Sequence, residues 1–183
     1  MRMGTPKPLL QYGTQTLLER VSQTLREAGI AQVSVVVNPN SQGVVREAQR
    51  LSLVTLFNDQ PELGMAHSAA IAIKNCASDW IAMLPCDMPF LTPQVVAKCI
   101  AALNEQAEVV QPFADGRSRH PVFLSKNLFS NAVTALRAGS PLREFLKTVT
   151  ITPVEFESSL PFKDIDTMEE YEESLRLLKL AAD

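Results

Sequence analysis

Short apolar runs alternate with helical patterns along this chain, and this alternation limits the fold more than any other feature. The runs are rich in β-branched residues and end at Pro, Asn or Asp, as buried strands do. Between them, apolar residues recur every three or four positions, as on one face of a helix. Strands and helices that alternate in this way form parallel β-α-β units with right-handed crossovers. The sequence therefore predicts a three-layer α/β fold.

The predicted elements account for most of the 183 residues. The strands cover residues 32–37, 53–57, 80–84, 108–112, 120–124 and 149–156. The helices cover residues 16–28, 42–51, 64–75, 93–106, 127–138, 141–147 and 168–181, and a charged turn covers residues 114–119. This length suits one domain with a full core, so we expect residues 1–183 to form a single domain.

Composition and charge exclude several classes of protein. The net charge is −3 and there is no basic block, so nucleic acid is not an expected partner, because phosphate-backbone binding needs clustered Lys and Arg. No apolar run approaches the roughly 18 residues of a membrane span, and no signal-peptide pattern opens the chain. Cys76, Cys86 and Cys99 are isolated from one another. We therefore expect a reduced, cytoplasmic protein with no structural zinc and no membrane partner.

An acidic residue follows the predicted strand at residues 80–84. Asp87 comes directly after Pro85 and Cys86, and two further prolines, Pro89 and Pro93, follow it. Ligands of open α/β sheets collect beyond the carboxyl ends of the strands, where a carboxylate can hold Mg²⁺. The alternative is a turn aspartate that caps the helix beginning near Pro93.

Two loops have the composition of phosphate-binding segments. Lys7 lies in a Gly4-x-Pro6-Lys7 loop ahead of a helix, where it can neutralise phosphate oxygens, or can be a solvated surface lysine. Gly64, Met65 and Ser68 open a helix whose free N–H groups suit an anion, although an ordinary helix start has the same pattern.

Two more segments place polar residues near predicted strand or helix ends. Arg117 and Arg119 precede His120 and can bind a phosphorylated substrate, or can form a solvated hairpin turn. Before the last helix, either Asp166 or Thr167 is expected to be the N-cap. A remaining acid of this segment is then free to join Asp87 around a cation.

In their order along the chain, four segments resemble the nucleotidyltransferase family that matures the molybdenum cofactor. Arg-Met-Gly-x-Pro-Lys-x-Leu-Leu at residues 2–10 is similar to part of the family's opening signature. Leu-Pro-Cys-Asp-Met-Pro-Phe-Leu at residues 84–91 resembles its metal-binding motif. Residues 116–121 resemble its Gly…His-Pro segment, and residues 164–167 resemble its C-terminal motif. The resemblance implies a Rossmann-like, glycosyltransferase-A-type domain with a mostly parallel central sheet.

The resemblance also implies roles for individual residues. Asp87 would hold Mg²⁺ on the nucleotide phosphates, Asp164 or Asp166 would be the second acidic group near the metal, and Lys7 and Arg2 would offset charge on the triphosphate. The nucleotide-binding positions would be Gly4, Asn38, Asn58, Gly64, Met65 and Ser68, and the pterin-facing positions would be His120, Ser140 and Arg143.

The implied reaction is transfer of CMP from CTP to molybdopterin, with release of pyrophosphate. The segments at 64–68 and 164–167 look more like the cytidylyl branch, whereas Pro-Cys-Asp-Met-Pro looks as much like the guanylyl branch, which uses GTP. A relative acting on a sugar phosphate is a further enzyme alternative, and a molybdoenzyme is the implied recipient of the cofactor.

The family opens with a strand and a glycine loop immediately before the Arg-Met-Gly found here at residues 2–4. We therefore expect a domain that lacks this strand and loop, and poor nucleotide binding, because the loop's N–H groups would cradle phosphate. A non-catalytic cofactor carrier or insertion chaperone is the alternative from a different class.

Overall fold

The computed structural model describes residues 5–180, with side chains to residue 178. The helices are α1 (Leu17–Glu27), α2 (Gln42–Arg50), α3 (Gly64–Lys74), α4 (Pro93–Ile100), α5 (Phe129–Arg137), α6 (Leu142–Leu146) and α7 (Met168–Leu180). The strands are β1 (Gln11–Tyr12), β2 (Gln15–Thr16), β3 (Ser34–Val37), β4 (Val54–Phe57), β5 (Trp80–Met83), β6 (Val109–Ala114), β7 (Arg117–Ser118), β8 (Val122–Ser125) and β9 (Ile151–Glu155). Short 3₁₀ turns cover Lys7–Leu9, Pro61–Leu63, Lys126–Leu128 and Leu160–Phe162.

The main sheet has five strands and is mixed. Strand β8 lies between β5 and β6 and runs antiparallel to both, whereas β9 pairs parallel to β6 and the short β7 pairs antiparallel to its end. Strands β5, β6 and β9 therefore run in one direction, and the predicted α/β fold with a mostly parallel sheet is confirmed. Strands β3 and β4 form a separate parallel pair, and β1 and β2 a small hairpin.

Strand β8 departs from the predicted series of parallel units because a tight hairpin reverses the chain. Asp115 and Gly116 connect β6 to β7 with φ angles of 52° and 70°. Two successive positive φ angles suit a two-residue hairpin turn, and Gly and Asp tolerate them better than most residues. The charged turn predicted at residues 114–119 is thus the reason that β8 returns antiparallel.

The sheet separates two apolar clusters, as a three-layer fold requires. Val110 and Phe123 pack with α1 and α4 on one face, through residues such as Val96. Their neighbours Val109 and Leu124 pack with α3, α5 and α6 on the opposite face. Successive strand residues point to opposite faces, so the continuous apolar run of β6 serves both clusters.

Helix α4 ends at Ile100, earlier than the predicted boundary at residue 106. The side-chain oxygen of Asn104 accepts hydrogen bonds from the N–H groups of Gln106 and Ala107, each at 3.0 Å. Asn side chains that bond nearby backbone groups compete with the helix, and here they form a turn instead.

A third, smaller cluster joins the two ends of the described chain. Leu10, Tyr12, Leu17 and Ile165 are buried together, and apolar residues of α7 pack against them. The Tyr12 hydroxyl donates a hydrogen bond to the Ser174 carbonyl of α7 at 3.1 Å. The C-terminal helix is therefore docked beside the N-terminal loop.

None of the helices within residues 5–180 combines the length and apolar character needed to cross a bilayer.

Candidate active site

The side chain of Lys7 joins two carboxylates that are distant in sequence. Its Nζ lies 2.8 Å from Oδ2 of Asp87 and 2.7 Å from Oδ1 of Asp166, so it donates a hydrogen bond to each. Lys7 begins a 3₁₀ turn, Asp87 follows β5, and Asp166 precedes α7. The structure thus brings together three of the residues predicted for the site. Arg2 and Gly4 lie outside the described residues.

A backbone contact holds the two acidic segments together. The N–H of Ile165 donates a hydrogen bond to the carbonyl oxygen of Asp87 at 3.0 Å. The Ile165 side chain is only 1% exposed and is packed in the cluster formed with Leu10 and Leu17. Because this anchor is one residue away, Asp166 is held where its carboxylate meets Lys7.

Thr167, and not Asp166, caps helix α7 through its side chain. The hydroxyl of Thr167 accepts a hydrogen bond from the N–H of Glu170 at 3.2 Å. The Glu170 carboxylate accepts hydrogen bonds in return from the N–H groups of Asp166 and Thr167, at 2.8 and 2.9 Å. These bonds lower the pKa of Glu170 below its ordinary value. This reciprocal capping provides hydrogen-bond partners for the backbone N–H groups at the start of α7, and the Asp166 side chain remains available to bind Lys7.

The two carboxylates outnumber the one cation. Burial alone would lower the pKa of Lys7, but its hydrogen bonds to Asp166 and Asp87 raise it well above the ordinary value, so the ammonium stays charged. The Asp87 side chain is 15% exposed, and its second oxygen, Oδ1, is buried without a hydrogen-bond partner among the described residues. Buried carboxylate oxygens usually have a partner, so this oxygen indicates a place for a further ligand.

These acids do not form a complete metal cage by themselves. Within residues 5–180, no group of three or more His, Cys, Asp or Glu side chains is arranged to hold a metal ion. Asp164 is exposed, and it is the third acid predicted for the metal. Two carboxylates nevertheless match Mg²⁺, which commonly takes one or two protein carboxylates and completes its shell with water and substrate phosphates.

His120 lies at the same end of the sheet, at the end of β5. Its Nδ1 is 3.3 Å from the carbonyl oxygen of Met83, which can only accept a hydrogen bond. Burial lowers the pKa of His120, against the opposing effects of this hydrogen bond and of the charges of Asp164 and Asp87. Near pH 7 the ring is therefore mainly neutral, and the contact with the Met83 carbonyl places the proton on Nδ1 and the lone pair on Nε2.

The thiol next to Asp87 is not an activated nucleophile. Burial, together with the negative charge of Asp87, raises the pKa of Cys86 to about 12. The thiol therefore stays protonated near neutral pH, and the thiolate is the reactive form. This agrees with chemistry that proceeds without a covalent intermediate on the protein.

Asn58 and Ser68, two predicted nucleotide contacts, are hydrogen-bonded to each other. The buried Asn58 donates from Nδ2 to the Ser68 hydroxyl at 2.9 Å, and its Oδ1 accepts from the N–H of Gln60 at 2.9 Å. Asn58 therefore links the end of β4 to α3. Asn38 ends β3 in a similar local turn, in which its Oδ1 accepts from the N–H of Asn40 at 2.9 Å.

The start of α3 is shaped by glycine and leaves a large apolar side chain in solvent. Gly64 has φ 73° and ψ −163°, a backbone conformation that is essentially confined to glycine. Met65 is 86% exposed at the first turn of the helix. An exposed methionine is compatible with contact to a ligand, but no described residue packs over it closely enough to bury it.

The predicted pterin-facing residues are not joined by hydrogen bonds to the central cluster. Arg143 is 82% exposed, and its Nε lies 3.6 Å from the Glu144 carboxylate. Ser140 lies in the connection from α5 to α6, where its N–H donates to the Ala135 carbonyl. Within residues 5–178, neither side chain contacts His120 or Lys7 through a hydrogen bond or ion pair.

Two further buried polar atoms lie on Gln111 and Arg119, of which only Arg119 is a candidate predicted from the sequence. Gln111 of β6 is buried, and its Oε1 has no hydrogen-bond partner among the described residues. Nε of Arg119 is also buried without a hydrogen-bond partner among the described residues, and the guanidinium lies 3.9 Å from the Asp115 carboxylate. The charged turn makes Arg119 a candidate phosphate ligand, whereas nothing in the sequence around Gln111 distinguishes it from a core position.

The sequence matches the MobA-like NTP transferase domain over residues 1–154. A probable molybdenum cofactor guanylyltransferase from Geobacillus sp. (strain WCH70) is 28% identical over 111 residues, which cover 60% of this chain and 55% of the relative. The chain thus spans about half the length of that relative.

Solved structures show the same fold. Rv0371c from Mycobacterium tuberculosis H37Rv has a TM-score of 0.78 at 22% identity, covering 96% of this chain and 91% of its own, and it has also been solved in complex with manganese. The 2-C-methyl-D-erythritol 4-phosphate cytidylyltransferase from Thermus thermophilus has a TM-score of 0.73 at 20% identity, covering 95% of this chain and 94% of its own. At these identities the likeness concerns the fold alone. The match over residues 1–154 is broader evidence, and it shows that this chain belongs to the MobA-like NTP transferase domain family.

Proposed function

We propose that this chain is a nucleotidyltransferase that transfers CMP from CTP to molybdopterin and releases pyrophosphate. The observation that carries the proposal is the cluster of Lys7, Asp87 and Asp166, in which a buried carboxylate oxygen of Asp87 has no partner among the described residues. Membership of the family supports nucleotidyl transfer. We propose that residues 1–183 act as one domain and that a molybdoenzyme receives the product.

The cluster suits a magnesium ion. Asp87 and Asp166 supply oxygen ligands, and the ammonium of Lys7 already stands between them as a cation. When bound, Mg²⁺ would neutralise and orient the triphosphate of the nucleotide. Asp164, exposed in the same loop, is proposed to act on His120 through its charge and not as a metal ligand, because Asp166 and not Asp164 reaches Lys7.

The reaction requires positioning and charge neutralisation. A phosphate oxygen of molybdopterin forms a new bond to the α-phosphorus of the nucleotide, and the bond from that phosphorus to the bridging oxygen breaks. The electron pair and the negative charge leave with pyrophosphate. Lys7 offsets the charge that develops on the leaving group, as cationic side chains do in phosphoryl transfer. No protein nucleophile is needed, in agreement with the protonated Cys86 thiol.

The two substrates are proposed to meet at the carboxyl end of β5. Met65 and the N–H groups at the start of α3 would receive the nucleotide, with Asn58 holding Ser68 in place. On the acceptor side, Nε2 of His120 would accept a hydrogen bond from the pterin, and Ser140 and Arg143 would approach it from the α5–α6 connection.

Three free cysteines are the basis for proposing a reducing, cytoplasmic setting.

Transfer of GMP from GTP is the second candidate. The relative from Geobacillus is a probable guanylyltransferase, and this observation favours GTP. The choice is decided by comparing pyrophosphate release with each nucleotide under identical conditions.

The test is pyrophosphate release from Mg-CTP and Mg-GTP in the presence of molybdopterin. Wild type is compared with Asp87→Asn and with Asp79→Asn, a matched control whose exposed carboxylate pairs with Lys126 at 3.5 Å. We expect Asp87→Asn to lose at least about 100-fold in rate, corresponding to about 2.7 kcal/mol, and Asp79→Asn to retain the wild-type rate. Equal turnover in Asp87→Asn would refute the assigned site. Molybdopterin binding without any pyrophosphate release would replace the enzyme with a cofactor carrier.

A further inference from the structure

The ammonium of Lys7 stands where the proposed divalent cation would bind. We infer that Lys7 is an internal counter-ion that competes with the divalent cation for Asp87 and Asp166, and that the cation displaces it toward the nucleotide. This inference rests on the proposed function, because that function assigns the two carboxylates to a metal. It goes beyond a phosphate-binding role for the lysine, since it concerns the protein before nucleotide arrives.

The geometry makes the two cations mutually exclusive. Nζ is within 2.8 Å of an oxygen of Asp87 and within 2.7 Å of an oxygen of Asp166. A magnesium ion on those oxygens would stand about 2.1 Å from each. Both oxygens already point at the ammonium, so an ion bound between them takes the same volume. Lys7 must leave before a metal can be shared through Oδ2 of Asp87 and Oδ1 of Asp166.

The charges explain why the lysine is held there. Without Lys7, two carboxylates would face each other, and one of them, Asp87, is largely removed from solvent. Two carboxylates that share one ammonium repel each other, and this repulsion grows as their surroundings become less polar. The ammonium removes half of this excess charge, whereas a divalent ion would remove all of it. The site is therefore preassembled, but incompletely neutralised, until a divalent ion enters.

The Lys7 side chain is free to move away from the two carboxylates. Its side chain is 31% exposed, and it makes no hydrogen bond to any described residue other than Asp87 and Asp166. A lysine is a point charge on a flexible four-carbon stem, so rotation about its side-chain bonds can carry the ammonium into the adjoining solvent. There the ammonium would meet the phosphate oxygens of the nucleotide. Binding of the divalent cation to the carboxylates and movement of Lys7 to the phosphates would then occur together.

A ligand role and a counter-ion role make different predictions for metal binding. If Lys7 only contacts phosphate, its removal leaves the affinity for a divalent ion in the absence of nucleotide unchanged. If Lys7 competes for the carboxylates, its removal strengthens that affinity while turnover falls. An increase in metal affinity on removal of Lys7 therefore separates the two roles.

The experiment measures Mn²⁺ binding without nucleotide, by calorimetry and by the electron paramagnetic resonance signal of free Mn²⁺. Wild type is compared with Lys7→Gln, Lys7→Met and Lys7→Arg. The control is Lys163→Gln, which removes the same charge from an ion pair with Glu173 at 3.4 Å. We expect Lys7→Gln and Lys7→Met to bind Mn²⁺ at least about tenfold more tightly than wild type, since an adjacent positive charge has been removed. Lys7→Arg and Lys163→Gln should stay within about threefold of wild type.

A double variant, Lys7→Gln with Asp87→Asn, locates the effect, because it should lose the gain in affinity. Equal or weaker Mn²⁺ binding in both Lys7→Gln and Lys7→Met would overturn the inference, provided that their unfolding transitions match wild type. The proposed function is tested separately by pyrophosphate release from the wild-type protein. If wild type turns over and Lys7→Gln gains no affinity, only the counter-ion role is wrong. If Lys7→Gln gains affinity and wild type does not turn over, only the reaction is wrong.

Discussion

Replacing Ile165 by alanine tests whether the C-terminal segment holds the candidate site together. Ile165 is packed between the N-terminal loop and α7, and its N–H is bonded to the carbonyl of Asp87. The substitution keeps that backbone hydrogen bond but removes the packing that fixes the segment. We therefore expect two effects from one change, a loss of stability and a displacement of Asp166.

The stability loss follows from the burial of the side chain. Ile165 is 1% exposed, and alanine lacks three of its carbon groups. At about 0.8 kcal/mol for each buried group, the transfer contribution is about 2.4 kcal/mol. A residual cavity adds to this, so the expected total is about 3–4 kcal/mol. Ile165→Val should lose only about 1 kcal/mol, because it leaves a much smaller cavity.

The matched control is Leu136→Ala in α5. Leu136 is similarly buried, but it belongs to a different apolar cluster, formed with α3 and α6, which does not include Ile165. Its stability loss should be similar, so it reports what destabilisation alone does to activity. Urea unfolding gives the stability of each variant, and pyrophosphate release is measured where each is fully folded.

We expect Ile165→Ala to lose at least about tenfold in rate, because displacements near 1 Å can cost up to a hundredfold in catalysis. Leu136→Ala should keep its rate within about threefold. Two results would refute the reasoning. One is a stability loss below about 1 kcal/mol for Ile165→Ala, which would mean that the segment is not packed as described. The other is an equal loss of rate in both variants.

Two further predictions concern the neighbouring polar groups. Ser68→Ala should lower the free energy of unfolding by about 1–3 kcal/mol, measured with urea, because it leaves the buried amide of Asn58 without its acceptor. Adding Asn58→Leu should recover part of that loss. Strictly additive effects of the two substitutions would contradict the coupling. His120 should make the protein less stable as the pH falls from about 7 to 5, because burial keeps its pKa below the unfolded value of 6.5, so that the unfolded chain binds the proton first. Unfolding free energies of wild type and His120→Gln across this range test this, and an identical slope would show that His120 is not the group responsible.

Much of the fold was predictable because each strand carries its own signal. The run Ser34–Val37 is β-branched and ends at Asn38, and its bounds differ from the predicted 32–37 only at the start. The parallel pairing of β3 with β4 follows from the helix between them. The direction of β8 was harder to predict, because it depends on a two-residue turn at Asp115 and Gly116 and not on the strand itself.

Lys7, Asp87 and Asp166 could be named as candidates from the sequence, but their contacts could not. Asp87 was identified because it follows a buried strand, and that position is local in sequence. Its pairing with Lys7 joins residues 80 positions apart, and that of Lys7 with Asp166 joins residues 159 apart. Such pairings depend on how distant segments pack together, which no local pattern records. Asn58 illustrates the converse, since a polar residue at a strand end proved to be bonded within the protein.

The second carboxylate of the cluster lies beyond the residues that match the MobA-like NTP transferase domain. The family match ends at residue 154, whereas Asp166 and its anchor Ile165 lie in the segment that follows. Lys7 and Asp87 are within the match, but Lys7 donates one of its two hydrogen bonds to Asp166. Without that partner, Lys7 and Asp87 would be a simple ion pair with no net charge, and the excess negative charge proposed to attract a divalent ion would be gone. We therefore expect the docking of α7 to affect the proposed binding of a divalent ion as much as the motif around Asp87 does.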